Sequence, residues 1–178
     1  YSFHGGEKLS LPQILERVDE FGCGLVEITG GEPLIHSAAF ALATELLDRG
    51  YTVLVETSGA VDVSPLDSRA HKVMDLKCPG SGEVDANLWP NLAHLTERDE
   101  VKFVLADRSD FDWACEVVRQ QELDRAVRNG ALKAILFSPV WDELGLEILS
   151  EWILAEDLPV RLQIQLHKLI WDPQARGV

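Results

Sequence analysis

An α/β fold, either a doubly wound sheet or a partial β/α barrel, is what this 178-residue sequence predicts. Three observations lead there. Six short runs rich in β-branched residues recur along the chain, and helical patterns lie between several of them. The strand runs are apolar along much of their length, as expected when helices cover a parallel sheet.

In chain order, the first helix is expected over 10–21, where Ile14, Leu15, Val18 and Phe21 recur on one face. Ser10 is its N-cap, just before Pro12, and Gly22 stands where a left-handed C′ residue ends a helix. Strands follow at "LVEIT" (25–29), "YTVLVET" (51–57) and "HKVMDLK" (71–77), with Gly50 closing a helix before the second. "CPGSGEVDANLWPN" (78–91) is the longest irregular stretch, and such loops in compact domains are often functional. The strand "EVKFVLA" (100–106) precedes a helix over 109–122 that places Phe111, Ala114, Cys115 and Val118 on one face. "KAILFSP" (133–139) is the fifth strand, Leu144, Ile148, Leu149 and Trp152 mark the last helix, and "VRLQIQL" (160–166) is the sixth strand.

With 46% hydrophobic residues the chain can bury one core, and residues 1–178 read as a single domain with no linker or repeat. Sixteen Lys and Arg against 30 Asp and Glu give a formal net charge of −14, which repels a phosphate backbone and an anionic membrane alike. Direct nucleic-acid binding is not expected. No apolar run reaches the roughly 18–20 residues of a bilayer span, and the start carries no leader pattern, so a cytoplasmic protein is expected. Cys23, Cys78 and Cys115 form neither an even disulfide framework nor a C-x-x-C pair and read as reduced thiols. The sequence contains no P-loop, G-x-S-x-G or H-E-x-x-H, His4 and His36 lack ligand spacing, and the five tryptophans read as packing residues.

In either architecture ligands bind where strands end. Gly30 and Gly31 follow the first strand and let a ligand approach the backbone, while Glu32 brings a carboxylate beside exposed N–H donors. That pairing suits a zwitterion such as an amino acid; an exposed glutamate in a strand-to-helix turn is the plain alternative. Glu56 adds a second acid on the neighbouring strand. Lys77 could neutralise a substrate carboxylate or balance Asp75. Gln165 and His167, in "QLHK", share one face if the last strand continues, and that histidine can hydrogen-bond a ligand or move a proton near neutral pH.

Taken together and in this order, "TGGEP", "ETSG", "DLKCPGSGE", "SPVW" and "QLHKLIWDPQARGV", after an opening "YSF-x-GG", resemble the 7-carboxy-7-deazaguanine synthase family of radical S-adenosyl-L-methionine enzymes. The resemblance implies a partial β/α barrel of radical S-adenosylmethionine type, and a carbon–nitrogen lyase on the route to queuosine and other 7-deazapurines. The implied reaction converts 6-carboxy-5,6,7,8-tetrahydropterin to 7-carboxy-7-deazaguanine with loss of ammonia. It implies cosubstrate contacts at Gly30, Gly31, Glu32, Glu56, Lys77 and Ser138. Pterin contacts fall at Thr29, Gln165 and His167, and at the terminal carboxylate of Val178. A 4Fe-4S cluster, Mg2+, a flavodoxin- or ferredoxin-like electron donor and a homodimer are implied as well.

The family's C-x3-C-x2-C cluster loop is not matched by Cys23, Cys78 and Cys115, which lie tens of residues apart. By resemblance that loop ends immediately before the position of Tyr1. The cluster segment, the first strand and the magnesium-binding Asp-Thr site are therefore expected upstream of this chain, which by itself should not assemble the cluster or turn over. Two other readings stand beside this one: a cluster-free module that binds a nucleoside or amino acid, and a glycyl-radical activase. The "QLHK" ending and the short chain argue against the activase.

Overall fold

The structure, a computed structural model, describes residues 7–173 and 175. Six strands form one sheet in the order β1 (Leu25–Ile28), β2 (Thr52–Thr57), β3 (His71–Leu76), β4 (Glu100–Leu105), β5 (Ala134–Pro139) and β6 (Val160–Leu162). The β1–β2, β2–β3 and β5–β6 pairs are parallel, with Leu25 opposite Thr52, Leu54 opposite His71 and Ile135 opposite Val160. A doubly wound sheet reverses its strand order once, whereas chain order throughout is compatible with a partial β/α barrel. The helices are α1 (Leu11–Glu20), α2 (Ser37–Asp48), α3 (Arg108–Gln120), α4 (Leu123–Arg128), α5 (Leu146–Ala155) and α6 (His167–Ile170). Among the described residues no helix is long and apolar enough to cross a membrane.

The chain forms two compact units. The first comprises the residues up to Asp75 together with Ala86–Glu100. Its core is aliphatic, with Ala43, Leu46, Val53, Val55, Val63 and Met74 buried. Ser10 begins α1 as expected, its N–H donating to Gln13 Oε1 at 2.9 Å, and Gly22 and Gly50 take φ values of 61° and 89° just past the ends of α1 and α2. Of the apolar face predicted for α1, Leu15 is buried but Phe21 is 84% exposed. A buried ion pair closes the unit. Asp99 accepts from Lys72 N at 2.7 Å, Lys72 Nζ at 3.0 Å, Thr96 N at 2.8 Å and Thr96 Oγ1 at 3.0 Å.

The second unit comprises Leu76–Asp85 and the residues from Val101 onward. Its core is aromatic: Phe137 meets Phe103 and Phe111 edge to face, both at 5.6 Å between centroids, and Trp152 lies 5.4 Å from Phe111. The predicted α3 face, Phe111, Ala114, Cys115 and Val118, is wholly buried. On the last predicted helix Leu149 is buried while Ile148 is 47% exposed, and Leu144 packs ahead of α5 rather than within it. The irregular stretch 78–91 is made of 3-10 turns at Pro79–Ser81, Val84–Ala86 and Trp89–His94.

The sixth strand is shorter than predicted. β6 ends at Leu162, and after Gln163 N donates to Phe137 O the chain turns into α6, where Lys168 N bonds to Gln165 O and Leu169 N to Leu166 O. The alternation of Leu162, Ile164 and Leu166 predicts a continued strand. Among the described residues no strand lies beyond β6 in the sheet, and local turns take up the backbone groups that follow it instead.

Candidate functional site

Strand ends in the first unit gather one polar cluster. After Ile28 closes β1, Thr29, Gly30 and Gly31 are exposed, and Gly30 adopts φ +150°. A Cβ built on Gly30 meets nothing within 4 Å, so the open side of this turn can admit a ligand against the backbone. Glu32 comes next as the N-cap of the turn Pro33–Ile35, and its side chain folds back onto the chain with only 8% exposure.

Its carboxylate is held by four donors. Leu34 N reaches Oε1 at 3.0 Å, Thr57 Oγ1 lies 2.9 Å from both oxygens, and Ser58 approaches Oε2 with its N at 2.7 Å and its Oγ at 2.5 Å. A carboxylate has room for about four such bonds. Thr57 is fixed in turn, because its Oγ1 accepts from Gly59 N at 3.1 Å. Gly59 sits at φ +70°, where a Cβ would come 3.1 Å from Met74 Cγ. The buried Asn91 clasps the following loop: Nδ2 donates to Gly59 O at 2.9 Å and to Val61 O at 2.8 Å, while Oδ1 accepts from Val63 N at 3.1 Å. Glu56, one residue before Thr57 and hence on the other strand face, is half-buried and accepts from Thr29 Oγ1 at 3.4 Å.

Thus the structure pairs Thr29 with Glu56 and, separately, Glu32 with Thr57 and Ser58, while Asn91 sets the loop behind them; Thr57, Ser58 and Asn91 carry no assigned role in the sequence reading. A usable signal was present in "ETSG", where two hydroxyl residues follow the acid. The signal for Asn91 was absent, since its partners lie about thirty residues away.

In the second unit Lys77 follows β3 and is half-buried, and Ser138 is 2% exposed on β5. A cavity of about 250 Å³ opens beyond β5, lined by Pro139, Trp141, Asp142, Leu144, Gln165 and Leu169 among others. Asp142 holds φ +64°, a left-handed conformation that, glycine apart, Asp and Asn adopt more readily than other residues. Gln165 Oε1 is buried there and has no hydrogen-bond partner among the described residues. Gln165 and His167 do not share a strand face as predicted: Gln165 precedes α6 and His167 is its exposed first residue. Lys168 Nζ lies 5.6 Å from the Trp141 ring centroid. Val178 and the opening "YSF-x-GG" lie outside the described residues.

The donor sets discriminate between the implied cofactors. A carboxylate fixed at a strand end, one of whose donors is the half-buried Ser58 hydroxyl, beside an unobstructed glycine, fits the ammonium of an amino-acid-like ligand. An iron–sulfur cluster finds no such fit. Among the described residues no group of three His, Cys, Asp or Glu could hold a metal ion; Cys23 is exposed while Cys78 and Cys115 are buried. Burial pushes the Cys115 thiol up to about 11, with the nearby Glu156 charge adding to the effect, so it resists becoming the thiolate that ligation requires.

No family model matches the chain. It is 39% identical over 183 residues to the 7-carboxy-7-deazaguanine synthase of Chlorobaculum tepidum, covering 100% of this chain and 80% of that protein. The synthase of Koribacter versatilis is 39% identical over 192 residues, with 100% and 83% covered. That of Thermoplasma acidophilum is 32% identical over 173 residues, with 96% and 78% covered. Likeness of this extent, spanning both compact units and the Glu32 cluster, means that the chain belongs to the 7-carboxy-7-deazaguanine synthase family.

Proposed function

We propose that the protein acts in 7-deazapurine biosynthesis, as the radical S-adenosylmethionine enzyme that turns 6-carboxy-5,6,7,8-tetrahydropterin into 7-carboxy-7-deazaguanine with loss of ammonia. The observation that carries this reading is the near-complete match to relatives bearing that name. The Glu32 cluster supports it with a site suited to a zwitterion.

In this reading the open side of Gly30 and Gly31 admits the methionine end of S-adenosylmethionine, and Glu32 accepts a hydrogen bond from its ammonium. Glu56 takes the ribose hydroxyls, Lys77 pairs with the carboxylate and Ser138 meets the adenine. Thr29 and His167 bind the pterin with the terminal carboxylate of Val178, and the buried Gln165 Oε1 accepts one of the pterin's N–H groups. These residues orient the two ligands and exclude water from between them. In this family a 4Fe-4S cluster and the cosubstrate supply the hydrogen-abstracting radical, with Mg2+ assisting. Ligands for neither metal group occur among the described residues. A small reducing protein and a homodimeric, cytoplasmic enzyme complete the proposal.

The test uses the complete natural protein, prepared anaerobically with iron and sulfide and given reductant, S-adenosylmethionine and the carboxytetrahydropterin. Formation of 7-carboxy-7-deazaguanine, followed by mass spectrometry, is the expected outcome. Cosubstrate cleavage without that product would move the chain to another radical reaction, and binding without cleavage would make it a binding module.

A further inference from the structure

The Glu32 carboxylate presents a difficulty to any ligand that needs it: its acceptor sites are already filled by the chain's own donors. One donor must leave before an ammonium can enter. The four are not equally able to do so.

Leu34 N belongs to the turn Pro33–Ile35 and cannot move without breaking it. Ser58 N is fixed by its neighbour Gly59, whose carbonyl is held by Asn91 Nδ2 at 2.9 Å and Leu88 N at 3.2 Å. Thr57 Oγ1 is buried and tied from behind by Gly59 N, and its β-branched side chain has few alternative rotamers. Ser58 Oγ differs on each count. It is half-buried, Glu32 Oε2 is its one hydrogen-bond partner among the described residues, and an unbranched serine can swing to another staggered rotamer at small cost.

We infer that the Ser58 hydroxyl is a placeholder: it fills the fourth acceptor site of Glu32 in the free protein and gives it up to the ligand's ammonium, while Thr57 holds the carboxylate in place. This inference rests on the reading of Glu32 as an ammonium acceptor. It makes Thr57 and Ser58 positioning residues with opposite effects on affinity, although they are adjacent and touch the same carboxylate. Removing the Ser58 hydroxyl leaves the free protein with an unfilled acceptor, so binding an ammonium gains more. Losing the Thr57 hydroxyl leaves the carboxylate loosely placed, so binding gains less. The exchange also favours charge, because an ammonium makes a stronger bond to the carboxylate than the neutral hydroxyl it displaces.

The experiment measures dissociation constants for S-adenosylmethionine by calorimetry on the complete natural protein without reductant, so that no turnover occurs. Ser58→Ala is expected to bind about threefold more tightly or better, and Thr57→Val about tenfold more weakly, with Thr57→Ser restoring most of the loss. 5′-Deoxy-5′-methylthioadenosine, which lacks the amino group, is the control ligand. Its affinity should not change in Ser58→Ala, whereas a general loosening of the site would alter both ligands. Thermal unfolding of each variant establishes that it is folded.

Affinity in Ser58→Ala that is unchanged or weaker overturns the placeholder, as does equal tightening for both ligands. Glu32→Gln separates this failure from that of the underlying reading. If Glu32→Gln binds S-adenosylmethionine as well as the unmodified protein, the ammonium assignment falls and the placeholder with it. If Glu32→Gln binds weakly and Ser58→Ala does not tighten, only the placeholder falls.

Discussion

The two compact units hold themselves together by different physics. In the first, the organising residues are buried polar side chains, each with several directional bonds: Glu32, Asn91 and Asp99. In the second, they are aromatic rings, with Phe103, Phe111 and Phe137 packed edge to face and Trp113 and Trp152 against them. A directional clasp places a loop to within tenths of an ångström but tolerates no change of partner, whereas a packed core tolerates exchange of shape if volume is kept. The lesson is that the unit carrying the Glu32 cluster has its rim set by hydrogen bonds far more than by bulk.

The largest effect that sharpens this contrast is expected at the buried ion pair. Asp99→Ala should cost about 3–5 kcal/mol in urea unfolding, because it strands the Lys72 ammonium and leaves Lys72 N and Thr96 N without their acceptor. Replacing both partners, as Lys72→Met with Asp99→Leu, should recover only part of that loss, since the two backbone donors stay unpaired. Full recovery would mean that the charges, and not the backbone bonds, dominate.

A direct comparison comes next. Asn91→Leu keeps the approximate volume but takes the acceptor from Val63 N and a donor from each of Val61 O and Gly59 O, the latter keeping only Leu88 N, and is expected to cost about 3 kcal/mol. Phe137→Leu in the other unit keeps an apolar filling and should cost about 1–2 kcal/mol. Chemical denaturation of both measures the difference, and a larger cost at Phe137 breaks the contrast.

Gly80 tests the second unit's exception. Asp110 there is a buried acid that accepts from Gly80 N at 2.8 Å and Ala106 N at 3.1 Å, and a Cβ on Gly80 would stand 2.6 Å from Asp110 Oδ2. Gly80→Ala should therefore destabilise by about 1–2 kcal/mol. Little or no change would show that the 3-10 turn Pro79–Ser81 shifts freely.

The smallest effect is electrostatic and exposed. Hydrogen bonds from the Arg69 guanidinium, and then from its backbone N–H, hold Asp67 down to about 2, below the ordinary value of about 3.9. Its contribution is present above the ordinary value and is lost as pH falls through about 2. Arg69→Ala should accordingly lower the melting temperature slightly at pH 5, and the difference from the unmodified protein should close toward pH 2. A difference that persists undiminished in acid would assign the Arg69 effect to packing of its side chain rather than to its ion pairs with Asp67 and Asp48.

Much of the fold could be read in advance because it rests on local rules. The first five strands begin and end within a residue or so of expectation, Gly22 and Gly50 take the left-handed conformation that helix ends favour, and the α3 face is buried as its periodicity requires. Each depends on residues within a turn or two. The departures share a cause of longer range. β6 stops at Leu162, where its pairing with β5 ends and the chain turns toward α6, and Phe21 keeps the period of α1 while remaining 84% exposed.

The candidate site divides in the same way. Its chemistry was written in the order of short motifs, since Gly30, Gly31 and Glu32 after one strand and Glu56 after the next put an acid and a permissive turn at strand ends. What that acid touches was not. The sequence separations of 25 and 26 positions from Glu32 to its partners Thr57 and Ser58, and of 32 from Asn91 to Gly59, are bridged only by the folded chain. Sequence by itself determined the alternation of strand and helix, the helix ends and the family, because these follow from periodicity, backbone preference and ordered motifs. Only the tertiary structure decided that Glu32 turns inward and fills its acceptor sites, because a buried carboxylate takes whatever donors the completed fold brings within 3 Å, however distant they are in sequence.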